Sequence, residues 1–387
     1  MKKWIKRIVV GFIALLAIAS VLAVATGNSH IFSAVAKTYL VGQTGPTIDD
    51  YTKFENRRVK AGAYRPWKLS ADYNKKELSP EILKKIEQYE PAAFLVIKNN
   101  KIVFEKYWEN YSDSSYTNSF SMAKSITGIL TGIAIDKGLI SSVNDPVAKY
   151  LSEYAHQPKL TIKDLLTMSS GIDFGESYKD PFGFMAKAYY GSDIKKLTLS
   201  KTVFSDEPGK IFKYQGGNTL LLSFIIEQTS GMTLSDFASE YLWKPCGAKY
   251  DALWSLDKKD GLEKAYCCFY SNARDFARFG RLFLQNGEMF GKQIVSEQYV
   301  KESITPASYL TDQNGEKVTY YGYQWWIGSY KDFDFYFMRG ILGQYVICIP
   351  SKNIIIVRLG KKRSKKYLNH HPTDVYDNIE AALALTE

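Results

Sequence analysis

Residues 121–135, Ser121-Met122-Ala123-Lys124-Ser125-Ile126-Thr127-Gly128-Ile129-Leu130-Thr131-Gly132-Ile133-Ala134-Ile135, put a polar tetrad at the head of an apolar helical run. A polar loop, Tyr111 to Asn118, leads into it. A serine hydroxyl is a poor nucleophile at neutral pH and needs a base beside it. Residues three apart share a helix face, so Lys124 is expected over Ser121. Partial desolvation there favours a neutral amine able to take a proton. At a helix N-terminus the serine also offers a free backbone N–H, and the positive end of the dipole, to a developing oxyanion. Gly128 and Gly132 cost helix propensity but are spaced for the close approach of a neighbour. S-x-x-K also arises by chance as a solvated helix start, so its surroundings decide its meaning.

The 387 residues hold one large domain, or a domain with an insertion, and 45% hydrophobic and 14% aromatic content describes a globular chain with ample core. A net charge of +10 is modest at this length. The densest basic run, Lys361-Lys362-Arg363-Ser364-Lys365-Lys366, reads as a solvated loop between a strand and the last helix in preference to a phosphate-binding patch. No zinc-finger, RNP or P-loop pattern is present, which argues against nucleic acid as a partner.

Lys2, Lys3, Lys6 and Arg7 precede an apolar stretch from Ile8 to Ala25. Residues 1–28 are therefore expected to be a signal peptide or an N-terminal membrane anchor, with the positive flank cytoplasmic and the rest exported, periplasmic or otherwise extracytoplasmic. Ala23-Val24-Ala25 and Ala34-Val35-Ala36 both fit a signal-peptidase site. Cys246, Cys267, Cys268 and Cys348 lack the paired spacing of a zinc site. Cys246 either bridges to Cys267 or Cys268 in an oxidising compartment, or all four are small buried hydrophobes. The histidines at 30, 156, 370 and 371 form no H-E-x-x-H, and no G-x-S-x-G elbow occurs. No metal or organic cofactor is expected.

Residues 29–78 show little periodicity and read as an exported extension packing partly on the domain that follows at 79–387. Ser79-Pro80-Glu81 starts a helix running to about Tyr89. Ala92–Lys98 and Lys101–Trp108 are strands joined by the hairpin signal Asn99-Asn100. A mostly helical insertion spans about 141–264, with a capping box at Thr161–Asp164 and an apolar helix from Asn218 to Thr229. A further helix is predicted over Asn272–Gln285. Four strand candidates follow, Tyr320–Gly328, Phe333–Gly340, Gln344–Ile349 and Ile354–Leu359, and a closing helix runs from about Thr373 to Leu385. These elements predict an α+β fold, with one antiparallel sheet flanked by helices on both faces.

Two further elements carry chemistry. In Glu207-Pro208-Gly209-Lys210-Ile211-Phe212-Lys213-Tyr214-Gln215-Gly216, a Pro-Gly turn places Tyr214 just before a helix, where a phenol can relay a proton. Alone, Tyr214 is one of 28 tyrosines and as well explained by packing. In Arg339-Gly340-Ile341-Leu342-Gly343-Gln344, glycines within a strand pattern signal that a ligand or another backbone approaches closely.

In this order and separation the three elements resemble the serine β-lactamase and penicillin-binding superfamily. The resemblance is strongest to its esterase and class C-like branch, which includes 6-aminohexanoate-dimer hydrolases. It covers roughly residues 80 to 385, and LTIKDLLTMSSGIDF, EPGKIFKYQGGNTLLL, YCCFYSNARDFARFGRL and YGYQWW support it. The resemblance implies that Ser121 is the acylated nucleophile, Lys124 its activating base and Tyr214 the proton relay. It also implies an oxyanion hole of the Ser121 and Ile341 backbone N–H groups, with Ile341 on an edge strand. The substrate implied is a small-molecule amide or ester.

Two departures set this chain apart. Tyr214-Gln215-Gly216 stands where β-lactamases and penicillin-binding proteins carry Tyr-x-Asn or Ser-x-Asn, and Ile341-Leu342-Gly343 where they carry Lys-Thr-Gly. A β-lactam or D-Ala-D-Ala end thereby loses charge-assisted hydrogen bonds of roughly 1.5–3 kcal/mol each. Arg339 either replaces the missing lysine or is structural. Tyr178 and Asp180, with Phe182, lie in GESYKDPFGF, where relatives build one wall of the cleft. Trp325 or Trp326 supplies another, and Gly343 joins the substrate-side candidates. Adjacent strand residues face opposite ways, so at most one of the two tryptophans lines a pocket.

Overall fold

The computed structural model describes residues 2–387. Its centre is the strand Pro91–Lys98, an almost unbroken apolar run. Such a run marks a strand buried on both faces. Ala93, Leu95 and Ile97 belong to the core on one side, Phe94 and Val96 to the core on the other. Asn99 and Asn100 both take positive φ, 51° and 59°, as a tight hairpin requires, and return the chain into the strand Lys101–Tyr107.

The main sheet has seven strands in the order Trp326–Tyr330, Phe333–Gly340, Gln344–Ile349, Ile354–Gly360, Pro91–Lys98, Lys101–Tyr107, Lys68–Leu69. All neighbours are antiparallel except the last pair. The helix Ala273–Leu284 packs its Phe276, Phe279 and Phe283 against one face, while Asp374–Thr386 and Pro80–Glu87 cover the other. This is the expected α+β architecture.

The details depart from expectation in three places. A second, four-stranded antiparallel sheet joins Asn56–Val59, Ala252–Ser255, Phe269–Ser271 and Thr117–Asn118, where a single sheet was expected. Its strands of two to four residues are too short to show a period. Residues 29–78 are more than an extension: they contribute Asn56–Val59 to this sheet, Lys68–Leu69 to the edge of the main one, and a helix, His30–Lys37, packed on the helix Phe184–Tyr190. Finally, the strand expected from Tyr320 begins only at Trp326. Gln324, at φ 62°, turns the chain, and its buried amide donates to the carbonyls of Leu165 and Leu166 at 3.0 and 2.9 Å.

Gly128 and Gly132 are approached as their spacing predicts: a Cβ on Gly132 would lie 2.4 Å from the Tyr299 ring, and one on Gly128 3.0 Å from Gln324. The sequence neighbours Cys267 and Cys268 are bridged to each other. Cys246 and Cys348 are free and buried, so of the two alternatives these two cysteines take that of small buried hydrophobes. The first helix, Lys2–Ala25, is long and apolar enough to cross a membrane, and its large apolar side chains are exposed.

Candidate active site

The turn before the serine helix, Met122–Asp136, is held in a strained shape. Phe120 has φ 44°, rare for a bulky residue. Its N–H donates to Asn118 Oδ1 at 2.9 Å, and the preceding Ser119 N–H donates to Phe269 O of the second sheet at 2.8 Å. Ser121 caps the helix without a side-chain capping bond, so its hydroxyl is free for other partners. One turn on, the fully buried Lys124 points back: Nζ donates to Ser121 Oγ at 3.0 Å and to Tyr266 O at 3.0 Å. The i, i+3 relation of the motif is thus realised as a contact.

The same amine lies 5.1 Å from the centre of the Tyr214 ring. Tyr214 follows a turn in which Gly209 takes φ 75°, and it precedes the helix Gly216–Ser230. Its ring is half-buried against Trp326 (centroids 5.2 Å apart) and Tyr321 (6.0 Å). Among the described residues no hydrogen bond joins its hydroxyl to Ser121 or Lys124. The structure therefore brings serine, lysine and tyrosine side by side, with the first pair in contact and the phenol ring alongside the amine.

Gly340 explains how the third element arrives. A Cβ there would sit 2.3 Å from Ser119 O, so only glycine lets the end of the strand Phe333–Gly340 press against the serine turn. Ile341 then lines the same cavity, of about 380 Å³, as Ser121. Two expectations are corrected here. Ile341 lies in a tight turn, Ile341–Gly343, with Leu342 at φ 61°, and the adjoining strand is second in the sheet, not at its edge. Gly343 does not line the cavity: at φ 84° it is buried behind the turn, its carbonyl accepting from Arg358 Nη1 at 2.7 Å, and a Cβ would lie 1.9 Å from that nitrogen.

Of the substrate-side candidates, Tyr178 and Asp180 line the cavity. Asp180 Oδ1 accepts the Phe182 N–H at 2.9 Å and so shapes its own loop, while Phe182 is exposed off the lining. Trp325 is corrected: it is fully buried against Phe283, ring centres 4.1 Å apart, and belongs to the core. Trp326 is the tryptophan turned toward the site, as the backing of Tyr214. Arg339 lies over Trp326 at 3.1 Å and donates to His370 O at 3.0 Å. Burial lowers its guanidinium to about 10, against the opposing influence of nearby Tyr214.

Three contributors escape the sequence reading. Glu176 accepts the Gly217 N–H at 2.7 Å, where the helix Gly216–Ser230 begins. Burial raises its carboxyl above the ordinary value, outweighing backbone hydrogen bonds from Gly216 and Gly217 and the charge of Lys124. Its signal was its place two residues before Tyr178. Tyr266 orients Lys124 through a carbonyl, which leaves no mark on side-chain pattern. The helix His30–Lys37 supplies Ile31 and Ala34 to the cavity, from a segment with no chemistry-bearing motif.

The site thus sets a buried amine on a helix-start serine, with a tyrosine ring beside it. The chain belongs to the beta-lactamase family, whose model matches residues 83–375. It is 27% identical over 297 residues, 72% of this chain and 75% of the relative, to the 6-aminohexanoate-dimer hydrolase of Paenarthrobacter ureafaciens. It is also 25% identical over 266 residues to a teichoic acid D-alanine hydrolase of Staphylococcus aureus, covering 65% of this chain and 60% of that one. The fold is shared with a Bacillus anthracis protein provisionally assigned as a 6-aminohexanoate-dimer hydrolase (TM-score 0.72, 23% identity, 87% of this chain and 92% of that one). It is shared too with a family VIII carboxylesterase (TM-score 0.62, 17% identity, 80% and 99%).

Proposed function

We propose that this chain is an exported serine hydrolase that cleaves amide or ester bonds of small, non-β-lactam substrates through an acyl-enzyme on Ser121. The observation that carries the reading is the Lys124 Nζ–Ser121 Oγ contact of 3.0 Å, made by an amine whose other partner, Tyr266 O, holds it in place. In its base form Lys124 takes the hydroxyl proton as Oγ bonds to the substrate carbonyl carbon. The oxyanion is held by the N–H groups of Ser121 and Ile341, in a region closed by the Gly340–Ser119 approach. As the C–N or C–O bond breaks, the leaving group receives a proton through Tyr214. Water then attacks the acyl-enzyme, giving its proton to the same relay and returning Ser121 to its hydroxyl form.

The relatives support the reaction class, since an amide hydrolase lies among them in sequence and a carboxylesterase in fold. The two departures, Gln215-Gly216 and Ile341-Leu342-Gly343, favour this reading over β-lactam or D-Ala-D-Ala chemistry. The apolar helix ending at Ala25 supports export, as a signal or an anchor. Ser121→Ala is expected to abolish both labelling by a fluorophosphonate and hydrolysis of p-nitrophenyl esters. Normal turnover in that variant overturns the assignment. Stable acylation by labelled penicillin, with no ester or amide turnover, would move it to the penicillin-binding branch.

A further inference from the structure

We infer that the helix His30–Lys37 is the outer wall of an acyl pocket, and that through it this chain selects substrates whose acyl part is apolar and several carbons long. The inference rests on the hydrolase reading above and extends it to the substrate. The cavity of about 380 Å³ is lined by both Ser121 and Ile341. Ile31 and Ala34 line it, together with Met185 and Tyr190 of the helix packed against theirs. The wall is fixed in place. His30 is buried, its Nε2–H donating to Pro181 O at 2.8 Å, and Lys37 lies 4.9 Å over the Phe54 ring. Lys179 and Asp180 are the charged residues on the lining; Asp180 accepts a backbone N–H of its own loop. The remaining lining is dominated by aliphatic and aromatic side chains, which suits a hydrocarbon chain better than a charged group.

Which half of the substrate enters follows from the proton. The leaving group must lie within reach of the acid that protonates it. Tyr214 is absent from this lining and instead borders a second, polar cavity of about 300 Å³ with Glu176, Lys213, Asp312 and Asn314. The departing amine or alcohol therefore faces that side, and the acyl chain is left with the apolar cavity beside the Ser121 and Ile341 N–H groups.

Full-length protein in detergent would be treated with methyl- and octylphosphonofluoridates that share one alkoxy group. Ser121 Oγ forms the P–O bond, the P–F bond breaks, fluoride leaves and the hydroxyl proton passes to the base. The octyl probe should label Ser121 at least about tenfold faster than the methyl probe, since each buried methylene is worth roughly threefold to fourfold. Ala34→Trp, which fills the pocket, and Ile31→Asp, which makes its wall polar, should each lower the octyl-to-methyl ratio by about tenfold. If one variant fails to fold, the other carries the test. Equal labelling by both probes, or a ratio unchanged in the folded variants, overturns the acyl pocket and leaves the hydrolase intact. Failure of both probes to mark Ser121 overturns the hydrolase reading itself.

Discussion

At the scale of residues, the site rests on one amine with two jobs for its hydrogen bonds. Lys124 is fixed by Tyr266 O and reaches Ser121 Oγ, both at 3.0 Å, so its length and its nitrogen both count. Lys124→Met keeps the volume and removes the base. It is expected to lower kcat/KM for a p-nitrophenyl ester by about a thousandfold, with a melting temperature within a few degrees of the parent. A loss below tenfold would refute the base role. The Ser121–Lys124 pair was legible in the sequence because its spacing marks it, whereas Tyr214, one of 28 tyrosines, came forward only through the family resemblance. Glu176 and Tyr266 were not legible, because an acid under a helix start and a backbone carbonyl on an amine are products of tertiary contact. Trp325 and Trp326 show the limit clearly. Alternation says that at most one of them lines a pocket, but the phase of the strand is set by Gln324, whose positive φ is a tertiary effect.

At the scale of elements, the approach of one strand end to the serine turn decides the geometry. Gly340→Ala forces a Cβ to within 2.3 Å of Ser119 O, so strand and turn must part. We expect kcat to fall by about a hundredfold or more while the protein still folds. An unimpaired kcat in folded protein would remove Gly340 from this role. A second prediction concerns the insertion, where Glu227 and Glu263 face each other. Burial, and then the Glu263 charge, raise the Glu227 carboxyl above the usual range. A raised folded value means that this group's contribution to stability is complete below the ordinary carboxyl range and is lost as pH rises. Glu227→Gln should therefore raise the melting temperature by about 2–4 °C at pH 9 and give no gain at pH 4. The opposite ordering would show that the carboxylate is paired, not strained. Long elements such as Phe333–Gly340 and Gln344–Ile349 stand where the residue pattern places them. The second sheet leaves no mark in the residue pattern because strands of two to four residues carry too few side chains to declare a face.

At the scale of the whole molecule, residues 29–78 bind the N-terminal apolar helix to the catalytic body. Ala34-Val35-Ala36 satisfies a peptidase pattern, yet it lies inside the helix His30–Lys37, packed on Phe184–Tyr190 and lining the cavity. Intact-mass measurement of protein recovered from its native host should therefore find no species beginning at Lys37. A dominant Lys37 N-terminus would show that the folded enzyme dispenses with this wall. Between Ala25 and His30 run only Thr26, Gly27, Asn28 and Ser29, a leash that lets the two helix ends part by at most about 18 Å when fully stretched. If the first helix stays embedded in lipid, the mouth of the cleft cannot drift far from the bilayer. The enzyme would then graze on molecules already dissolved in that surface, meeting them by lateral diffusion in two dimensions, while freely dissolved compounds would reach it as a minority.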